Sequence, residues 1–257
     1  MTGPSRIRVD ALTRAGLLWR MIHTSATCSI CGGGSFTSHK VLWPALIAEW
    51  RLSETEAAYI DEQQGCACDG CGANLRIVAL GDAVRCATGF EKTIRAFAET
   101  PEAARLRILD LNGAPAISPA LAALPEYVRA DYPKVDMLAM PFADGVFDLV
   151  IHSDTLEHVP HPVRALQECR RVLAPGGSLC FTVPIVVGRL TRNRDGLPKS
   201  YHGDPATCAE DLLVQTEFGA DAWRFLFEAG FREIAMHAVK YPAAIAFRAI
   251  RSRWTDI

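Results

Sequence analysis

Long apolar runs are missing from this chain of 257 residues. The longest, Cys180 to Gly188, is broken by Thr182 and Pro184. A membrane-spanning helix needs about 20 apolar residues in succession, so none is expected. The N-terminus carries scattered Arg6, Arg8, Arg14 and Arg20 and no continuous apolar stretch, so it does not read as a secretory signal. A cytoplasmic location is the expectation. A charge excess is missing too: 27 basic residues face 29 acidic ones, net charge -2, and neither half is basic. A dedicated nucleic-acid binder usually shows a strong positive excess. Internal repeats and low-complexity tracts are absent. With 49% apolar and 22% charged residues, disorder is excluded as the main state.

Cysteine, in contrast, is plentiful. Nine cysteines, an odd number, argue against a disulfide framework in a protein expected in a reducing compartment. Five of them, Cys28, Cys31, Cys66, Cys68 and Cys71, bunch in the first 71 residues. Cys28-x-x-Cys31 and Cys68-x-x-Cys71 are each followed by glycine (Gly32 and Gly72). A Cys-x-x-Cys turn points two thiolates at one cation, and two such turns complete a tetrahedral zinc site with no open position. The metal would hold the fold rather than do chemistry. Cys66 is a possible substitute ligand. Free buried thiols and a redox pair are the competing readings.

The pattern changes near residues 100–105, giving an N-terminal zinc-binding segment with helices (1–104) and a second domain (105–257). In the first, Ser53 to Glu56 is a capping box for a helix running to about Gln64 and stopping at Gly65. Thr88 to Glu91 reads as another, for a helix ending before Pro101. In the second, short apolar runs alternate with helical spacing, the signature of a parallel sheet. Strands are expected at Leu106–Leu111, Glu126–Ala130, Phe147–His152 and Ser178–Val183. Helices are expected at Ser118–Leu124, behind Pro162, and at Ala220–Ala229. Phe231–Val239 and Ala243–Arg248 read as a terminal hairpin.

Several segments together carry a family resemblance: Arg107-Ile-Leu-Asp110, Leu138 to His152 with its Pro-Phe and Phe-Asp pairs, Thr155-Leu-Glu-His158, and Arg170 to Gly177 ending in Pro-Gly-Gly. Their order resembles class I S-adenosylmethionine (SAM) dependent methyltransferases of the type-11-like kind over about residues 105–248. The run from Trp50 to Arg76 also resembles a leader on some uncharacterised bacterial methyltransferases. The resemblance implies an α/β fold: a Rossmann-like, doubly wound, mostly parallel sheet whose last strand is antiparallel. It also implies SAM as cofactor, beside zinc in the N-terminal segment. Ligands in such sheets bind outside the carboxyl ends of the strands. The cofactor-binding residues it implies are Asp110, Asn112, Gly113, Asp131, Asp136, Met137, His152 and Ser153, with Asp131 for the ribose and Asp136 for the adenine amino group.

Two departures stand out. The family's Gly-x-Gly-x-Gly loop is reduced here to Asn112-Gly113-Ala114-Pro115, so SAM must sit differently or bind less tightly. Only Tyr132 to Val135 separate Asp131 from Asp136, too few for the usual helix between strands two and three. One wall of the adenine pocket is therefore missing or supplied by the zinc segment.

On the acceptor side, Asp154, Glu157 and His158 fall on one face if helical, resembling a metal site of some quinone O-methyltransferases; packing and capping is the competing reading. A long insertion, 188–205, carries Arg189, Arg192, Arg194, Lys199, Tyr201, His202 and Asp204. Its arginines suit either an anionic acceptor or a solvated loop. Tyr201 and His202, with Glu217 to orient the imidazole, are the candidate catalytic residues; anchoring of the loop is the alternative. The leading expectation is methyl transfer to a small-molecule acceptor, with nucleic acid an unlikely partner. An RNA methyltransferase with a zinc module, or a non-catalytic scaffold on a degenerate fold, are the alternatives.

Overall fold

A computed structural model describes residues 27–202 and 210–253. The scattered arginines before residue 27, and Asp204 and Pro205 of the long insertion, lie outside the described residues.

The N-terminal segment contributes β1 (Phe36–Ser38), α1 (Pro44–Glu49), α2 (Glu54–Gly65), β2 (Cys66–Cys68), α3 (Leu75–Thr88) and α4 (Ile94–Ala98). Helix α2 starts as its sequence dictates: the Ser53 hydroxyl accepts from the Glu56 amide while the Glu56 carboxylate accepts from the Ser53 amide. Helix α3 is capped by the Asn74 side chain, which accepts from the Ile77 amide at 3.0 Å, and ends at Gly89 in the left-handed region. The capping box expected at Thr88 is not one. Its hydroxyl bonds back to the carbonyls of Val84 and Arg85, inside the last turn of α3. The helix before Pro101 is α4, capped instead by Thr93.

The rest of the chain forms β3 (Ile108–Leu111), α5 (Ile117–Leu121), β4 (Tyr127–Ala130), β5 (Phe147–Ser153), α6 (Pro162–Val172), β6 (Leu173–Thr182), β7 (Ile185–Val186), β8 (Arg192–Asn193), β9 (Thr216–Gly219), α7 (Arg224–Glu228), β10 (Glu233–Val239) and β11 (Ala244–Ile250). Six of these strands build one sheet in the order β10-β11-β6-β5-β3-β4. Strands β4, β3, β5 and β6 run parallel, and β11 is antiparallel to both its neighbours. The terminal hairpin is present as expected. So is the shortened connection: β4 passes to β5 without a helix or a further sheet strand, and β4 is the sheet's edge. The fold is Rossmann-like, with the switch in strand order at β3 and β5.

Both faces are covered. Helices α6 and α7 close one face, where Leu109, Val150, Leu179 and Phe247 meet Leu166 and Leu226. On the other, Ile77, Leu80 and Val84 of α3 join Ile108, Ile151, Cys180 and Ala246 in one apolar cluster that also takes in Cys28 and Cys68. The cysteine segment and the sheet thus share a single core, with α3 packed on the sheet.

Candidate active site and metal centre

The four paired cysteines converge. Cys28 and Cys71 have Sγ atoms 3.6 Å apart, as have Cys31 and Cys68, and all four Sγ atoms lie within 4.8 Å of one another. Four thiolates around a zinc at about 2.3 Å stand about 3.8 Å apart, so the donor set fits one tetrahedral ion. Each Cys-x-x-Cys turn closes on itself: the Gly32 and Gly72 amides donate to the carbonyls of Cys28 and Cys68 at 2.8 Å, with both glycines at positive φ. Burial drives the Cys28 thiol far above its usual range. Cys66 lies outside the cluster and its sulfur faces the Lys240 ammonium at 3.8 Å.

At the β3–β4 end of the rim, Asn112 and Gly113 have φ of 57° and 79°. The Asn112 side chain accepts from the Tyr132 amide at 2.7 Å. Asp110 lies beneath, 1% exposed, where it accepts from the hydroxyls of Ser118 and Tyr127. Burial raises its carboxyl above the usual range, against those hydrogen bonds. Asp131 follows β4 and is exposed; its Oδ1 accepts from Arg129 Nε at 2.6 Å. The Arg129 guanidinium lies against Gly113, where any Cβ would collide with it. Asp136 is exposed and accepts from the Leu138 amide, while Met137 is buried.

The strand alternation separates His152 from Ser153. His152 is wholly buried, stacked on Phe181 at 4.7 Å on the α6 side, and desolvation pushes its pKa down to about 3. It is a core residue and is not open to the rim, contrary to the expectation for it. Ser153 turns the other way, and its buried hydroxyl has no partner.

The β5–β6 end of the rim is enclosed. A cavity of about 320 Å³ lies between the residues after β6 (Pro184, Ile185, Val186), residues 41–64 of the N-terminal segment, and Asp154, His158, Tyr201 and His202. The cysteine-bearing segment therefore supplies a wall on this side. On the far side β4 remains the edge, with Tyr132 55% exposed.

Tyr201 and His202 reach the cavity as expected, but Glu217 does not orient the imidazole. Its carboxylate is held by Arg192 and Arg194. The carboxylate facing His202 is that of Glu157, with Oε1 3.5 Å from Nδ1. His158 joins them, its ring edge-on to that of His202 at 4.9 Å and its Nδ1 donating to the Leu213 carbonyl at 3.0 Å. Burial opposes the charge on Glu157, yet the two imidazoles hold its carboxyl below the usual range. Ligand atoms of Glu157, His158 and His202 lie within 4.8 Å of one another, a spacing that suits a cation. His202 takes the place in that group that Asp154 was expected to fill.

Of the insertion's arginines, Arg192 is exposed and pairs with Glu217, while Arg189 and Arg194 turn back onto the protein. Arg189 pairs with Glu56 at 2.7 Å and donates to the carbonyls of Trp50 and Arg51. Arg194 is 7% exposed and lies 5.4 Å from the Trp50 ring centroid. They fasten the loop to the N-terminal segment. The cation that does face the cavity is Arg76, on α3, which the sequence did not single out. It is 5% exposed and pairs with Asp154 at 2.8 Å.

Residues 84–181 match the family model of a methyltransferase domain. A ubiquinone biosynthesis O-methyltransferase of Nitrosococcus oceani is 36% identical over 100 residues, 38% of each chain. A probable S-adenosylmethionine-dependent methyltransferase of Mycolicibacterium smegmatis is 35% identical over 118 residues, 42% of this chain and 45% of its own. The chain thus spans less than half the length of these curated relatives. Among solved structures, a possible histamine N-methyltransferase of Thermotoga maritima is similar with a TM-score of 0.37 at 15% identity, covering 69% of this chain and 90% of that one. The matched segment takes in β3 to β5 and most of β6 of the sheet described above, and over it the chain is similar to SAM-dependent methyltransferases.

Proposed function

We propose that the protein transfers a methyl group from SAM to a small-molecule acceptor held in the cavity beside His202, and that one structural zinc bound by Cys28, Cys31, Cys68 and Cys71 fixes the wall of that cavity. The observation that carries this reading is the enclosed cavity itself. It opens at the carboxyl ends of β5 and β6, where ligands of such sheets bind, and His202 in its wall is backed by the buried carboxylate of Glu157.

Ser153 and the residues at the β3–β4 end of the rim fit SAM. Gly113 lacks the Cβ that would bar close approach, Ser153 holds an orphaned hydroxyl, and Asp131 presents a carboxylate at a strand end. Arg129, whose side chain is 39% exposed, must swing off Gly113 to admit it. When bound, SAM supplies a methyl group already activated on a sulfonium. The chain's own work is then to hold the acceptor in line and to take its proton. Glu157 beside Nδ1 of His202 favours the tautomer with the proton there, which leaves Nε2 free to accept a proton from a hydroxyl or amine. The cavity walls, among them Trp43, Trp50 and Ile60, exclude water.

Calorimetric titration with S-adenosylhomocysteine tests the reading at its base. Saturable one-to-one binding is expected; an absence of binding to zinc-replete protein would leave the scaffold alternative standing.

A further inference from the structure

Arg76 is a buried cation whose hydrogen bonding is incomplete. Its Nη2 meets Asp154 Oδ2 at 2.8 Å, but Nε and Nη1 are buried and have no partner. A guanidinium offers five N–H donors, and buried donors are almost always satisfied. An ion pair withdrawn from water holds together well only when its remaining donors are also used. Arg76 is 5% exposed, and it forms part of the cavity wall. Much of the remaining wall is apolar or aromatic: Trp43, Leu46, Trp50, Ile60, Val186 and Leu212.

We infer that this cavity takes an acceptor with an aromatic or otherwise apolar body and a single carboxylate, and that Arg76 is the residue that selects the carboxylate. The inference rests on the methyltransferase reading above and deepens it. Two observations support it. Nη1 keeps its N–H donors unused and can donate to a carboxylate at that edge of the guanidinium, a contact in which arginine is more directional than lysine. The volume, about 320 Å³, suits a body of one or two rings. Charge bounds the class: Asp154 and Glu157 already outnumber Arg76 at the polar end, so one negative charge on the ligand is the most that Arg76 can offset and a phosphate dianion is disfavoured further. The insertion's arginines do not compete for the ligand. Arg189 pairs with Glu56, and Arg192 and Arg194 pair with Glu217.

The anchor also has a geometric logic. The carboxylate would seat between α3 and Asp154, and His202 stands on the same cavity wall. A hydroxyl or amine on the ligand body is then the group left facing the imidazole. Arg76 is accordingly a specificity residue that touches substrate, distinct from the proton acceptor.

The test is calorimetric titration of the zinc-replete protein, with S-adenosylhomocysteine present, against hydroxyaryl carboxylates of one and two rings (4-hydroxybenzoate and 6-hydroxy-2-naphthoate) and their primary amides. The acids should bind at least 10-fold more tightly than the matched amides. Arg76→Gln should shrink that preference below 2-fold, and Arg76→Lys should keep part of it. Each variant is checked by its melting curve and by its affinity for S-adenosylhomocysteine. The wild-type acid-to-amide ratio needs no variant, so it stands even if Arg76→Gln fails to fold. No acid outbinding its amide, or Arg76→Gln retaining the full preference, overturns the inference. Acid preference without any S-adenosylhomocysteine binding would instead overturn the methyltransferase reading and leave the pocket assignment in place.

Discussion

The two ends of the ligand rim are built on opposite terms. At β3–β4 the chain has dispensed with structure: one glycine in the loop, no helix between β4 and β5, and β4 left as an edge. At β5–β6 it has added structure. A cysteine-tied segment and a long insertion close over the strands and are fastened to each other by Arg189–Glu56 and by Arg194 against Trp50. On the function proposed above, the contrast marks where specificity is invested. A cofactor common to many enzymes can be bound with few contacts. An acceptor particular to one enzyme needs an enclosing wall.

The contrast can be broken most sharply at the metal. Cys68→Ser should lose the zinc, about one per chain by elemental analysis in the unaltered protein, and lower the melting temperature markedly, since metal binding to such a segment is folding energy on the scale of about 10 kcal/mol. Metal-free protein with an unchanged melting curve would show that the cysteines are simply packed thiols. Next in size is His202→Ala, which should reduce the methyl-transfer rate by roughly 10²–10⁴ while S-adenosylhomocysteine affinity and melting temperature hold. If stability and cofactor affinity fall with it, the histidine anchors the loop. On the lean side, Asp131→Ala should weaken S-adenosylhomocysteine binding by about 1.5–3 kcal/mol, the scale of a charge-assisted hydrogen bond. Unchanged affinity would mean that the ribose contact lies elsewhere.

A smaller effect concerns pH. The Arg189 guanidinium beside Glu56 holds its carboxyl down to about 2, helped by the Ser53 amide and hydroxyl. A depressed carboxyl stabilises the folded state above its unfolded pKa, near 4.5, and that contribution fades as pH falls toward 2. The pair is partly solvated, so about 1–2 kcal/mol is expected. Arg189→Ala should remove this part of the acid dependence, read as the difference in melting temperature between pH 6 and pH 3. A mutant with the full acid dependence would place the sensitivity elsewhere, for instance at His152, which must charge in a dry core.

How much of this was legible in the sequence follows from the range of each contact. The α2 capping box, Pro162 opening α6 and the terminal hairpin are decided within a few residues, and all are where the pattern puts them. The cysteine cluster was legible because Cys-x-x-Cys is itself a local geometry. Thr88 misled because Thr93 caps the next helix equally well from nearby. The site was legible only in part. Tyr201 and His202 reach the cavity, but the partner of His202 is Glu157, a residue weighed only as a metal ligand or a packing element, whereas Glu217 is neutralised by two arginines. His152 could have been set aside by parity: in β5 it alternates with Ile151 and Ser153, so it must face the opposite side of the sheet. Arg76 left no signal, since it sits among apolar residues of α3 and acquires its meaning only from Asp154, far along the chain.

One consequence follows from the start of helix α3. Cys71, the capping Asn74 and Arg76 lie within six consecutive positions, so on the readings proposed above a zinc ligand, the helix origin and the acceptor anchor would form one short lever. Binding at either end of such a lever is thermodynamically linked to the other. Zinc occupancy and acceptor affinity should therefore share a coupling free energy in which the cofactor end of the rim takes no part. Partial chelation would weaken acceptor binding first, and acceptor in turn would slow the loss of zinc.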